Sequence, residues 1–593
     1  MKFLDDLPKF VFFTGKGGVG KTSLSCATAV RLAGEGRKVL LVSTDPASNV
    51  AQVFDQPIGS NITPVEDFHG LSALELDPQA SANAYRERIV GPVRGIMPES
   101  EIRALEEQLS GACTTEIAAF DEFTALLTNP DLVKGYDHII FDTAPTGHTI
   151  RLLQLPGAWS GFISDNPNGA SCLGPLSGLE KQRAQYAYAV DALASSERTR
   201  LILVTRPQRS ALDEVERTRG ELAAIGITGQ FLIVNGVMPA AEAERDTLAA
   251  AIRSREQSSL ANMPGPLRSM PVDSVPLKPF NIIGRDALAR FFDEEAVGAM
   301  DDSSAQATAA GPPSIADLVD EIAAGGRGLI MMMGKGGVGK TTMAAAVAVE
   351  LASRGFATHL TTTDPASHLA AALAGDMPNL EVSSIDPRTE IEEYTRHVMA
   401  TKGKGLDDAG RAALEEDLRS PCTEEIAVFQ GFSRAIREAG RKFVVMDTAP
   451  TGHTLMLLDT TGAYHHEITR HTAKGISYTT PVMRLQDPAY TKVIIVALAE
   501  TTPVLEAAGL QAELRRAGIE PWAWIINNSL AASPTRSDLL RRRAAEELKQ
   551  IDIVRRDHAG RFALVPIQTD EPVGTERLHK MASARLEDAF ATV

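Results

Sequence analysis

A glycine-rich octapeptide occurs twice in this chain of 593 residues, and its duplication restricts the possible folds more than any other feature. The sequence GKGGVGKT begins at Gly15 and again at Gly334. Three further segments repeat in the same order, namely TDPAS, CT-x-EIA and DTAPTGHT. A domain of roughly 280 residues is too long a period for a solenoid repeat, so we interpret the chain as a tandem duplication of one domain.

The stretch between the two copies has the composition of a linker. Residues 300–314 read MDDSSAQATAAGPPS, which is rich in small residues and proline and has no apolar periodicity. We therefore predict a first domain over 1–295, a linker over 296–315 and a second domain over 316–593. Because both domains lie on one chain, the protein is expected to be a monomer in which the halves pair with each other.

The composition excludes several classes of function. Hydrophobic residues make up 44% and charged residues 23% of the chain, as in ordinary globular proteins. A net charge of −17 without a concentrated basic run argues against nucleic-acid binding. The apolar runs are far shorter than the ~18 residues of a membrane span, and two aspartates precede the first of them. These features predict a cytoplasmic protein.

Each half alternates short apolar runs with longer helical patterns. Strands that are apolar on both faces and alternate with helices predict a parallel sheet covered on both sides. The predicted fold class is α/β, with two tandem P-loop NTPase domains that are each a mostly parallel β-sheet flanked by helices. Ligands bind beyond the carboxyl ends of such strands, where the apolar runs end at Asp45, Asp142, Asp364 and Asp447.

The repeated motif matches the P-loop pattern G-x-x-x-x-G-K-[ST], whose backbone N–H groups surround phosphate oxygens. Lys21 and Lys340 are expected to reach the β- and γ-phosphates of ATP, and Thr22 and Thr341 to give a hydroxyl to Mg²⁺. The predicted ATP-binding residues of the first loop are Gly15, Lys16, Gly17, Gly18, Val19, Gly20, Lys21, Thr22 and Ser23. Those of the second loop are Gly334, Lys335, Gly336, Gly337, Val338, Gly339, Lys340, Thr341 and Thr342.

Both loops carry a second lysine, Lys16 or Lys335, directly after the first glycine. The motif G-K-G-G-V-G-K-[ST] resembles the deviant Walker A motif of the family that contains MinD, nitrogenase iron protein and the arsenite-pump ATPase. The resemblance implies a pseudo-two-fold pair of halves, in which Lys16 serves the nucleotide of the second half and Lys335 that of the first. Such a charge would stabilise the transition state as an arginine finger does. The alternative is a solvated loop charge.

The same resemblance implies roles for other residues near the phosphates. Asp45 and Asp364 would contact the attacking water and Mg²⁺, and Asp142 and Asp447 would act on Mg²⁺ through water. Asn235 and Asn527 are expected to contact the base, with Asn528 as a second possible register. The alternatives are helix caps for the aspartates and turns for the asparagines.

The cysteines indicate which nucleotide-dependent function is involved. Cys113 and Cys422 occupy the same repeat position, whereas Cys172 has no cysteine counterpart. If the repeat positions lie near the pseudo-two-fold axis, three thiolates would come together, and soft thiolates select soft ions such as a trivalent metalloid. The alternative is that these cysteines are small core hydrophobes, which is our expectation for Cys26.

The duplicated halves, the deviant loops, the DTAPTGHT segments and these three cysteines together resemble the arsenite-transporting ATPases of the ArsA family over nearly the whole chain. The resemblance implies an ATP hydrolase that uses ATP and Mg²⁺ and is activated by As(III) or Sb(III) bound to Cys113, Cys172 and Cys422. It also implies that His148, His453 and Ser420 lie near the metalloid. The alternative for the histidines is hydrogen bonding that locks the DTAPTGHT loop to which each belongs.

The resemblance further implies that hydrolysis drives arsenite or antimonite efflux through a separate integral membrane carrier resembling ArsB. The ATPase would then be peripheral to the inner membrane while bound to the carrier. A metallochaperone resembling ArsD is a possible second partner.

Two other functions fit parts of the sequence. A targeting ATPase for tail-anchored membrane proteins shares the P-loop, but it needs a C-x-x-C zinc site that this chain lacks. A partitioning-type P-loop switch needs a basic patch or an amphipathic membrane-binding tail. The segment 576–593 could be amphipathic, but its acidic residues and its single aromatic residue, Phe590, weaken that interpretation.

Overall fold

The fold is taken from a computed structural model of the chain. It describes residues 1–45, 50–94, 97–98, 101–102, 106, 109, 112–143, 179–293, 313–364, 369–401, 403–407, 410–411, 414–415, 418, 421–448 and 480–586. The chain forms two compact units, Met1–Asp301 and Asp302–Val593. The division falls inside the linker predicted over 296–315.

Ser314 and Ile315, which the prediction placed in that linker, already belong to the second unit. The Ser314 backbone N–H donates to the Asp317 carboxylate at 2.8 Å and so caps the first helix of that unit. Ile315 is buried. The cap explains the difference, because it begins a helix where composition alone indicates a linker.

The first unit contains an eight-stranded sheet in the order β3-β4-β2-β5-β1-β6-β7-β8. Every pair of neighbours is parallel except β3 with β4. The strands are β1 (Phe10–Thr14), β2 (Val39–Ser43), β3 (Thr63–Pro64), β4 (Leu71–Glu75), β5 (His138–Asp142), β6 (Thr199–Thr205), β7 (Gln230–Val237) and β8 (Val272–Pro276).

Helices connect these strands. The helices described in the first unit are α1 (Lys21–Gly34), α2 (Val50–Phe54), α3 (Pro78–Val90), α4 (Ala112–Thr128), α5 (Pro130–Gly135), α6 (Leu179–Ala194), α7 (Arg209–Ala224), α8 (Ala240–Ala243), α9 (Thr247–Ala261), α10 (Gly265–Arg268) and α11 (Arg285–Ala289).

The second unit repeats the plan with a seven-stranded parallel sheet in the order β11-β10-β12-β9-β13-β14-β15. Its strands are β9 (Gly328–Met333), β10 (Thr358–Thr362), β11 (Leu380–Ser384), β12 (Phe443–Asp447), β13 (Thr491–Leu498), β14 (Ala523–Ser529) and β15 (Phe562–Pro566). Its described helices are α12 (Ile315–Ala323), α13 (Lys340–Ser353), α14 (Leu369–Leu373), α15 (Pro387–Thr401), α16 (Pro421–Glu438), α17 (Pro481–Gln486), α18 (Thr501–Arg516), α19 (Asp538–Ile553) and α20 (Thr575–Ser583).

The central strands are apolar throughout because both of their faces are buried. Val11 and Phe13 of β1 pack into one hydrophobic cluster, while Phe10 and Phe12 pack into another on the opposite face. Strand β9 divides its residues between two clusters in the same way. Side chains alternate across a strand, so helices must cover both faces of each sheet. The prediction of two mostly parallel, helix-flanked sheets is confirmed.

Among the described residues, no helix combines the length and the apolar character that crossing a bilayer requires.

Candidate functional site

Each glycine-rich loop joins the carboxyl end of a central strand to the first long helix of its unit, between β1 and α1 and between β9 and α13. The loop passes very close to a neighbouring strand. A Cβ atom on Gly15 would lie 2.2 Å from the Val204 carbonyl oxygen, and one on Gly334 would lie 2.4 Å from that of Val496. Only glycine fits there, so the backbone curvature of both loops depends on these positions.

Asn235 and Asn527 hold the loops from the side. The Asn235 side-chain amide donates to the Val19 carbonyl at 2.8 Å, and the Asn527 amide donates to the Val338 carbonyl at 2.9 Å. Both asparagines lie inside strands, β7 and β14, rather than in turns, and both are buried. Asn528, the alternative register, is exposed. Contact with the base stays a prediction, whereas contact with the phosphate loop is observed.

The P-loop lysines point back into their own loops. Lys21 Nζ donates to the Lys16 carbonyl at 3.1 Å, and Lys340 Nζ donates to the Lys335 carbonyl at 3.1 Å. Both lysines are only 7% exposed. A buried ammonium group at the beginning of a helix is well placed to attract phosphate oxygens.

A hydroxyl and a carboxylate meet beside each loop. Thr22 Oγ1 donates to Asp142 Oδ2 at 2.7 Å, and Thr341 Oγ1 donates to Asp447 Oδ2 at 2.8 Å. Burial raises the pKa of Asp447, although the Thr341 hydroxyl and the Lys340 charge oppose the shift. Mg²⁺ prefers oxygen ligands such as carboxylates and hydroxyls. The neighbouring hydroxyl and carboxylate oxygens of these residues therefore fit a magnesium ion.

Asp45 and Asp364 lie at the same edge of their sheets, but not as the last strand residues. Strands β2 and β10 end at Ser43 and Thr362, two residues earlier than predicted. The chain still follows the neighbouring strand beyond that point, because the Thr44 N–H donates to the Asp142 carbonyl at 2.9 Å. Both aspartates are half-buried. The residues directly after them, 46–49 and 365–368, lie outside the described residues.

The second lysine of each loop is paired with a glutamate of its own unit. Lys16 Nζ lies 3.1 Å from Glu214 Oε2 on α7, and Lys335 Nζ is paired with Glu506 Oε1 on α18. Sequence reasoning missed both glutamates. The available signal was their position, because each is the sixth residue of the helix that follows the corresponding strand, β6 or β13.

Two further glutamates that sequence reasoning missed support the loops after β7 and β14. Glu256 Oε2 accepts the Met238 N–H at 2.8 Å. Glu547 Oε2 accepts the N–H groups of Leu530 at 2.7 Å and Ala531 at 3.1 Å. Burial raises the pKa of both carboxyls, and that of Glu547 rises to about 7.

The predicted metalloid residues lie wholly or partly outside the described residues. Cys113 and Cys422 are located near the first residues of α4 and α16, but their side chains are outside the described part of the chain. Cys172, His148, His453 and Ser420 also fall outside the described residues. Cys26 lies fully buried in the core, as expected.

A cluster of residue types that can bind a metal ion lies at the end of the second sheet opposite the phosphate loop. His359, Glu381 and Glu438 bring ligand atoms within 4.8 Å of one another. However, Lys442 Nζ lies 2.6 Å from both glutamates, and His359 is hydrogen-bonded to Glu438 and to Ser383. A cation already compensates the carboxylates, so we interpret this cluster as a structural network.

Each unit therefore has a phosphate loop between a strand and a helix, with a buried lysine and a threonine–aspartate pair beside it. This arrangement defines the class as a tandem P-loop nucleotide hydrolase. A family model described as "Anion-transporting ATPase", the ArsA ATPase family, matches residues 8–294, 327–483 and 473–587. The chain belongs to this family and is an ATPase.

Known proteins agree with this assignment. The chain is 62% identical over 582 residues to an "Arsenical pump-driving ATPase" of Escherichia coli, which covers 98% of this chain and 100% of the relative. It is 61% identical to a protein of the same name from Acidiphilium multivorum, again over 98% of this chain and 100% of the relative. A more distant relative, "ATPase get3" of Neurospora crassa, is 31% identical and covers 48% of this chain and 89% of its own length.

Proposed function

We propose that this protein is an arsenical pump-driving ATPase, activated by As(III) or Sb(III) bound through cysteine thiols. The observation that carries the proposal is 62% identity along 98% of the chain to a protein of that name. The repeated cysteine position supports it, because Cys113 and Cys422 stand in the same segment of each half. Soft thiolates suit a thiophilic metalloid, and Cys172 would complete a three-sulfur site.

The ATPase chemistry follows from the residues around each loop. The backbone N–H groups of the loop and Lys21 or Lys340 would bind the phosphates. Thr22 with Asp142, and Thr341 with Asp447, would hold Mg²⁺, which supplies charge neutralisation between the β- and γ-phosphates when bound. Asp45 and Asp364 would orient the attacking water.

The second lysine would complete each site from the other half. We propose that Lys16 acts on the nucleotide of the second unit and Lys335 on that of the first, where positive charge stabilises the leaving phosphates. A metalloid bound by thiols of both halves would favour the arrangement in which these lysines reach their targets. Such coupling requires the metalloid to bind that arrangement more tightly than the open one.

The partners of this function are also part of the proposal. A pump role requires a separate integral membrane carrier for arsenite or antimonite, and a metallochaperone would deliver the ion. The protein would act as a monomer whose halves, 1–295 and 316–593, pair within one chain. The zinc-linked targeting ATPase is disfavoured, since the chain contains no C-x-x-C pair.

The test compares ATP hydrolysis with and without arsenite in cysteine variants under mild reducing conditions. We expect Cys113→Ala and Cys422→Ala to lower the activation by arsenite at least fivefold while basal turnover changes less, because each removes one of three ligands. Cys26→Ala is the matched control, since it removes a thiol that lies in the core. Wild-type activation in the Cys113→Ala/Cys422→Ala double variant would contradict the proposal.

A further inference from the structure

The pairing of the second loop lysine with a glutamate occurs at the same place in both units. Glu214 and Glu506 each lie in the second turn of their helix, directly after the strand that neighbours the phosphate loop. The residues beside them differ, with Asp213 and Val215 in one unit and Leu505 and Ala507 in the other. The glutamate therefore recurs in a helix whose flanking residues have changed between the halves.

The two lysine–glutamate pairs are partly buried, and each one holds a residue of the phosphate loop. Lys16 is 34% exposed and Glu214 23%, while Lys335 is 22% exposed and Glu506 12%. These are partly buried ion pairs, so solvent screens them less than a pair on the open surface. The side chain of each lysine is held by the glutamate on α7 or α18. Its backbone carbonyl accepts a hydrogen bond from the side chain of the P-loop lysine in the same loop.

An ammonium group bonded to a glutamate of its own unit is not available to a nucleotide elsewhere. Its positive charge is neutralised, and its side chain is directed to α7 or α18. For the lysine to act on the partner half's nucleotide, as the proposed function requires, the ion pair has to break. The glutamate therefore sets a free-energy difference between a held lysine and a released lysine.

We propose that Glu214 and Glu506 are positioning residues of the ATPase reaction, each of which holds the second loop lysine of its own unit and thereby lowers turnover in the absence of an activator. The inference rests on the proposed function, because it assumes that the released lysine acts on the nucleotide of the other half. Activation then includes the transfer of this lysine from the glutamate to the phosphates.

Replacing the glutamate by glutamine tests the inference with little change in shape. A partly exposed ion pair shifts the equilibrium between the held and the released lysine by about two- to fivefold. We expect Glu214→Gln and Glu506→Gln each to raise basal ATP hydrolysis by this factor, in kcat rather than in KM for ATP, and to lower the activation ratio with arsenite. Glu216→Gln and Glu513→Gln are matched controls on the same two helices, where these glutamates pair with Arg219 and Arg516.

A second readout reports the lysine directly. In the nucleotide-free full chain, reductive methylation followed by mass spectrometry measures how fast the Lys16 amine reacts, with the exposed Lys38 as internal reference. We expect the Glu214→Gln variant to react about two- to fivefold faster at Lys16 than the wild type. Basal hydrolysis at or below the wild-type rate, or an unchanged reaction rate at Lys16, would overturn the inference.

The two proposals fail in different ways. If arsenite does not activate the wild type but both glutamine variants hydrolyse ATP faster, the metalloid function fails and the positioning role stands. If arsenite activates the wild type and both variants behave like it, the positioning role fails alone.

Discussion

At the scale of single residues, the site is organised by side chains that hold the phosphate loop in place. Asn235 and Asn527 show this clearly, since each is buried and donates to a carbonyl of the loop. A buried carbonyl that loses its donor destabilises the arrangement that depends on it. These asparagines therefore have a role in shaping the loop that is independent of any contact with the base.

Replacing Asn527 by alanine tests this role. The Val338 carbonyl would lose its side-chain donor, which costs roughly 1 kcal/mol and corresponds to about a fivefold weaker binding of ATP. We expect KM for ATP to rise in Asn527→Ala. Asn262→Ala is the control, because Asn262 is exposed and its side-chain amide donates to the Ser258 carbonyl of helix α9. Equal KM values in the two variants would show that the amide does not shape the loop.

The single residues also show what sequence patterns are able to predict. Lys21, Lys340, Thr22, Thr341, Asp142 and Asp447 lie at the carboxyl edge of their sheets, because a local motif or a strand end specifies their place. Their roles toward ATP and Mg²⁺ stay predictions. Glu214 lies far from Lys16 in sequence, and it meets the loop only because β6 is the neighbour of β1. A pair of this kind depends on strand order, which the motif does not encode.

At the scale of elements, apolar runs predicted the central strands well. A strand that is buried on both faces is a continuous apolar run, which is easier to recognise than alternating apolar and polar residues. The limits of the strands were predicted less well. Strand β2 ends at Ser43 rather than at Asp45, since hydrogen bonds and not hydrophobicity determine where a strand ends. Strand β3, with only Thr63 and Pro64, has no run long enough to be recognised.

Helix α19 supports the loop after β14 through Glu547, and this contact makes the unit sensitive to pH. Burial raises the pKa of Glu547 to about 7 from an ordinary value of 4.5. The folded protein therefore binds the proton more tightly than the unfolded chain does. Its contribution to the free energy of unfolding is complete below pH 4.5 and is lost as the pH rises through 7.

Thermal unfolding of the full chain between pH 5 and pH 8 tests this contribution. A shift of this size corresponds to roughly 3 kcal/mol between the two ends of the range. We expect Glu547→Gln to flatten the fall in stability toward pH 8, because glutamine does not titrate. Glu546→Gln, on the same helix and paired with Lys549, is the control and should keep the wild-type slope. An unchanged slope in Glu547→Gln would refute the assignment.

At the scale of the whole molecule, the two units are most similar around their phosphate loops and less similar elsewhere. Both units share the loop, the threonine–aspartate pair, the asparagine and the lysine–glutamate pair. Among the described residues of the first unit, the network around His359 has no counterpart, and the equivalent strand position is the buried Leu40. The repeated features therefore lie around the phosphate loop of each half.

We propose that one chain couples a thiol-bound metalloid to two such phosphate sites. Steady-state ATP hydrolysis by the purified wild-type chain, measured at saturating Mg²⁺ and ATP across a range of arsenite concentrations, tests it most directly. We expect a rate that rises several-fold and saturates, because the metalloid would bind a defined set of thiols and favour the arrangement that hydrolyses ATP faster. A rate that does not change with arsenite would contradict it.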